Sequence, residues 1–109
     1  MKTAIVGSRT VKCVELKKYI TKADEIISGG ARGVDQIAAR YAKENGLKLT
    51  EILPQYERYG KAAPIIRNKQ IVDLADKIII FWDGRSKGTL SIIKYAERTN
   101  KPHQIIICR

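Results

Sequence analysis

Five strand-sized apolar runs alternate with stretches of helical period along this 109-residue chain, and that alternation narrows the fold more than any other feature. Thr3-Ala4-Ile5-Val6-Gly7 is short, almost wholly apolar and ends in glycine. Val11 opens a predicted helix with Cys13, Leu16 and Ile20 on one face. Glu25-Ile26-Ile27-Ser28 reads as the second strand. Val34, Ile37, Ala38, Tyr41 and Ala42 then follow the i, i+3, i+4 spacing of a helix that Gly46 stops. Lys48 to Leu53 forms a third, more exposed strand closed by Pro54, and Gln55 to Ala63 is loop-like. Pro64 suits the first turn of a helix running to about Ala75. Ile78-Ile79-Ile80-Phe81-Trp82 is the most apolar run and predicts a central strand buried on both faces. The polar loop Asp83 to Gly88 precedes a helix with Thr89, Ile92, Ile93 and Ala96 on one face, and Pro102 leads into a last strand, His103 to Cys108.

Strands and helices in this order predict an α/β fold: a doubly wound, parallel five-stranded sheet with right-handed crossovers, layered α/β/α. The expected strand order is the Rossmann-like 3-2-1-4-5, with strands one and four adjacent at the topological switch point. Ligands of such sheets bind at the C-terminal strand ends. Three glycine-bearing loops fall on that edge, Gly7-Ser8-Arg9, Ser28 to Gly33 and Asp83 to Gly88. Residues 1–109 are read as one domain, since the length allows one core and shows no linker or repeat. A hydrophobic fraction of 44% and a charged fraction of 29% fit an ordinary soluble protein with no membrane partner. With no signal-peptide pattern and no metal or redox spacing between Cys13 and Cys108, the expected location is the cytoplasm. Neither a metal nor a cofactor is called for.

The octet Ser28-Gly29-Gly30-Ala31-Arg32-Gly33-Val34-Asp35 carries the main functional signal. Three glycines at a strand-to-helix turn let bare backbone approach a ligand, and the following helix aims its unsatisfied N–H groups and positive dipole end at the same point. Arg32 adds a cation, so Gly29, Gly30, Ala31, Arg32 and Gly33 form a candidate anion site; a tight turn with close helix packing is the plainer alternative. Asp35 either complements the helix dipole or accepts a ribose hydroxyl. Ser8 and Arg9 are a helix-capping segment or a ligand contact beside the octet. Gly88-Thr89 is a threonine-capped helix start or a second phosphate- or sugar-binding turn. Trp82 is a packed core aromatic unless it reaches the rim, Tyr56 and Tyr59 either stack on a base or lie in a solvated loop, and His103 is structural. The net charge of +10 favours phosphorylated or polyanionic partners, or is a solvated lysine-rich surface.

Taken together the loops resemble the SLOG superfamily, the Rossmann-like group that includes the LOG phosphoribohydrolases and the DNA-processing protein DprA. Gly7-Ser8-Arg9 follows the first strand as in that group, and the octet is very similar to the DprA glycine loop. Arg67-Asn68-Lys69-Gln70 through Asp76, then Trp82-Asp83-Gly84 and Gly88-Thr89, resembles the LOG order of arginine helix, strand and glycine-threonine loop. The tryptophan-aspartate-glycine run places the chain nearest the small stand-alone YspA-like branch. The resemblance implies a nucleotide or nucleotide-derived ligand, bound as by a sensor or binding module, with Arg67, Asn68, Asp83, Gly84, Gly88 and Thr89 joining the octet and Gly7 to Arg9. It also implies a homo-oligomer.

Two alternatives come from the same resemblance. One is a LOG-like hydrolase cleaving base from ribose 5-phosphate, a reaction that depends on a glutamate just after the glycine-threonine pair. Here Leu90-Ser91-Ile92 follows and the next acid is Glu97, leaving Asp83 or Asp35 as substitutes. The other is binding of single-stranded nucleic acid in the manner of DprA, favoured by the basic charge.

Overall fold

The structure is a computed structural model that describes residues 1–11, 15–20, 23–30 and 33–108. Cys13, Ala31 and Arg32 lie outside the described residues. Five strands, β1 (Lys2–Gly7), β2 (Glu25–Ser28), β3 (Lys48–Glu51), β4 (Lys77–Trp82) and β5 (His103–Ile107), form one parallel sheet in the order β3-β2-β1-β4-β5. Among the described residues four α-helices accompany them: α1 (Val34–Glu44), α2 (Tyr56–Tyr59), α3 (Ala63–Leu74) and α4 (Lys87–Arg98). The expected α/β/α Rossmann-like topology is therefore the observed one.

The period of two along the central strands divides the core between the faces of the sheet. Ala4 and Val6 of β1, with Ile78 and Ile80 of β4, pack under Ile71 and Val72 of α3 and Ile92, Ile93 and Ala96 of α4. Ile5, Ile79 and Phe81 point the other way, against Val34, Ala38 and Ala42 of α1. Ile78 through Phe81 are wholly buried, as a strand covered on both sides must be. Because α1 sits on one face and α3 with α4 on the other, the connections part at β1 and β4. Those two strands pair from Thr3–Lys77 to Gly7–Phe81.

Two stretches differ from the sequence reading. Between β1 and β2 the described residues hold only a 3-10 turn, Leu16–Lys18, where a helix from Val11 was expected. One turn is enough here: Leu16 is buried, and the Tyr19 ring meets Phe81 edge-on at a centroid distance of 5.5 Å. The residue before the turn, Glu15, makes no capping bond that would help a longer helix start. Conversely, Gln55 to Ala63 is not a loop. It holds α2 and a 3-10 turn, Gly60–Ala62, that runs into α3. Gly60 at φ 58° ends α2. Pro64 lies in the first turn of α3 as expected, and Gly46 follows α1 at φ 65°.

Candidate functional site

The loop after β1 is tied down by backbone. Ser8 N–H donates to the Phe81 carbonyl at 2.9 Å, extending the β1–β4 ladder by one residue. A side chain at Gly7 has no room, since a Cβ would lie 2.7 Å from the Phe81 carbonyl oxygen and 2.7 Å from Val34 Cγ2. Ser8 is 2% exposed and faces inward. Its Oγ accepts from Asp83 N–H at 3.2 Å and shares a hydrogen with Thr89 Oγ1 at 3.3 Å, joining all three elements that meet here. The exposed neighbours Arg9 and Thr10 face the open edge.

The loop after β4 is organised by Asp83. Its Oδ1 accepts the backbone N–H of Arg85 and of Ser86, both at 2.8 Å, and its Oδ2 accepts the Thr10 hydroxyl at 2.7 Å. These bonds, the Thr10 one foremost, hold the carboxyl well below the usual carboxylate range. Gly84 turns the chain at φ 82°. The cap of α4 is Ser86 rather than Thr89: Ser86 Oγ accepts from Thr89 N–H at 3.3 Å and from Thr89 Oγ1 at 3.2 Å. Trp82 packs against the core, and its indole Nε1–H donates to the Ser86 carbonyl at 3.1 Å. Gly88, in the first turn of α4, faces open space.

Of the octet, Gly29 packs directly against Arg67. From α3, its Nη1 donates to the Gly29 carbonyl at 2.8 Å and to the Ile52 carbonyl at 3.4 Å, while Nε donates to Asn68 Oδ1 at 3.0 Å. Nη2 makes no hydrogen bond to a described residue. Half-burial lowers the Arg67 pKa, against the opposing effect of the nearby Asp35 charge. Gly29 makes this arrangement possible, because a Cβ there would lie 2.7 Å from Arg67 Nη1 and 3.2 Å from Asp35 Oδ2. Gly33, at φ 73°, meets the first loop so closely that a Cβ would stand 2.9 Å from the Val11 carbonyl oxygen. Gly30, at φ 69°, lies under Leu53. Backbone thus crowds Gly33, whereas Gly29 and Gly30 meet only side-chain ends. Asp35 is buried in the first turn of α1.

These pieces surround a cleft of about 500 Å³ at the C-terminal ends of β1 and β4. Gly7, Gly29, Asp35, Arg67, Asn68, Asp83, Gly88 and Thr89 line it, as does Arg9, so the structure brings together most of the residues singled out from the sequence. Thr10, Arg85 and Ser86 also line it. No sequence signal marked Thr10; Ser86, three residues before Thr89, has the spacing of a cap and was legible. Arg9 and Arg85 have no carboxylate within 4 Å among the described residues. The first turn of α4 holds no acid, in contrast to Asp35 in that of α1. Elsewhere, His103 Nδ1 lies 2.7 Å from the Lys101 carbonyl, and burial raises the Cys108 thiol pKa. Among the described residues no group of His, Cys, Asp and Glu could hold a metal ion, and no helix is long and apolar enough to cross a membrane.

Fold and cleft together define a Rossmann-like α/β protein whose open site lies at the switch point of its sheet. The chain belongs to the YspA, cpYpsA-related SLOG family, whose model matches residues 1–59, from β1 through α2. Membership makes it a module of the nucleotide-related or LOG-like kind. The chain is also similar to the Gene 61 protein of Mycobacterium phage D29, with 36% identity over 83 residues that take in 71% of this chain and 66% of that protein. The matched part therefore spans just under two thirds of the relative. No solved structure gives a significant match.

Proposed function

We propose that the chain binds a nucleotide or nucleotide-derived ligand in the switch-point cleft and acts as a sensor or binding module. The observation that carries this reading is the charge pattern of the cleft: Arg9 and Arg85 face it with no ion-pair partner among the described residues, beside an α4 N-terminus left open by Gly88. Such a place favours a phosphate through charge-assisted hydrogen bonds and the helix dipole. The octet side differs, since Asp35 already occupies the positive end of α1. Asp35 and the Nη2 group of Arg67 suit the hydroxyls of a sugar there, while Gly29 and Gly33 keep the wall compact.

A binding role fits better than hydrolysis. N-glycoside cleavage needs a carboxylate at the developing oxocarbenium ion. The first two turns of α4 carry none, and Asp83 spends both oxygens on Thr10 and the loop backbone. The test is calorimetric titration with nucleoside monophosphates, ADP-ribose and ribose 5-phosphate, comparing the native chain with Arg9→Ala and Arg85→Ala. Each substitution is expected to weaken phosphate-bearing ligands about tenfold, the loss of one charge-assisted contact. Folded protein that binds nothing in the panel would overturn the reading, and release of free base would replace it with the hydrolase. Salt-sensitive capture of an oligonucleotide, with no small-molecule binding, would favour a nucleic-acid partner.

A further inference from the structure

We infer that Asn68 selects the base of the ligand by donating a hydrogen bond to a keto oxygen on its edge, an inference that rests on the nucleotide reading above. Pro64, Arg67, Asn68 and Ile71 all line the cleft. Their spacing of three and four residues makes them one stripe of α3. Asn68 is only 8% exposed. Chemistry tells its oxygen from its nitrogen: Arg67 Nε, 3.0 Å away, can only donate, so the accepting atom is Oδ1. The Nδ2 group is therefore turned away from Arg67. It has no hydrogen-bond partner among the described residues. No fully buried side-chain nitrogen or oxygen among those residues is left unpartnered, so Nδ2 keeps an open surface, and that surface belongs to the cleft Asn68 lines.

The surroundings suit a flat, neutral heterocycle. Val6, Ile71 and Ile92 turn the ends of core side chains into the cleft as an apolar floor, and Pro64 flanks it. An anion on that floor would lose hydration with little return, because the Asp35 carboxylate offsets the Arg67 charge. Arg67 Nη1 and Asp35 Oδ2 lie 2.7 and 3.2 Å from one point, the position of a Cβ at Gly29. With Oδ1 engaged by Arg67, Asn68 offers the ligand only N–H groups. A keto oxygen completes such a bond. An amino group in its place sets donor against donor and leaves a largely buried N–H unpaired.

The experiment compares IMP with AMP and UMP with CMP, pairs that exchange a keto oxygen for an amino group, with ribose 5-phosphate as the reference lacking a base. Calorimetry on the native chain is expected to favour the keto member of each pair about tenfold. Asn68→Asp keeps an acceptor for Arg67 and makes the outward atom an acceptor too, so the preference is expected to reverse. Asn68→Ala is expected to abolish it, and ribose 5-phosphate to bind all three proteins alike. Equal native affinity within each pair, a keto preference that persists in either folded variant, or weakening of ribose 5-phosphate as large as that of the nucleotides overturns the role of Asn68 and leaves the cleft reading standing. A native chain that binds none of these ligands overturns both.

Discussion

A methyl group added at Gly7 and one added at Gly29 have opposite expected consequences. At Gly7 the nearest atoms are the Phe81 carbonyl oxygen and Val34 Cγ2, so Gly7→Ala must part β1 from β4 or from α1. The expected loss of stability in urea unfolding is about 1–3 kcal/mol. At Gly29 the nearest atoms belong to the end of the Arg67 side chain, which moves easily. Gly29→Ala should therefore lose less than about 1 kcal/mol, yet displace the guanidinium and weaken ligand binding about tenfold. Asp83 adds a pH dependence. Its folded pKa lies below the ordinary value of about 4, so its charge stabilises the loop at all pH above that value. The contribution fades as pH falls through about 4 toward the depressed folded pKa. The melting-temperature gap between the native chain and Asp83→Asn should be widest near neutrality and shrink in acid; a gap constant with pH would contradict this. Gly29 and Asp83 were singled out in the sequence and Arg67 was joined to the octet by the resemblance, but Thr10, the partner of Asp83 from a distant segment, was not marked.

The elements differ in how clearly their own residues announce them. β4 and α1 carry unbroken periods, and their edges also show in Gly46 and in the Asp83 loop. In the first crossover Leu16 and Ile20 keep helical spacing, while the described residues 15–20 hold one 3-10 turn that buries Leu16. α2 was missed for the reverse reason: four residues are too few to show a period, and Gly60 with the tyrosines reads as loop. The start of α4 rests on Ser86, which caps Thr89 and receives the Trp82 indole on its carbonyl. Ser86→Ala is expected to cost about 1 kcal/mol of stability in denaturant unfolding. It should also change the Trp82 emission spectrum, since the indole and the cap share one residue. An unchanged stability would show that Thr89 or water caps the helix instead.

At the scale of the molecule, strand order follows from alternation and chirality, and it places three loops on one edge before any side chain is considered. Ile79 and Ile80 show how the sheet divides the core, each wholly buried in a different layer. Replacing either with alanine should cost about 2–5 kcal/mol in chemical unfolding, through α1 in one case and through α3 and α4 in the other. What the sequence could not display was that the start of α1, which carries an acid, and the start of α4, which carries none, line the same cleft. That contrast is the basis for placing a phosphate beside Arg9 and Arg85, and the net charge of +10 draws anions toward it. Trp82, the single tryptophan, is hydrogen-bonded to the α4 cap and so reports on this end of the cleft. Titrating the native chain and Arg85→Ala with a nucleoside monophosphate while following Trp82 fluorescence therefore tests the central claim most directly. A saturable change, shifted about tenfold to higher concentration in Arg85→Ala, is the result the cleft predicts. A folded native chain that gives no response to any nucleotide, in fluorescence and in calorimetry alike, would contradict it.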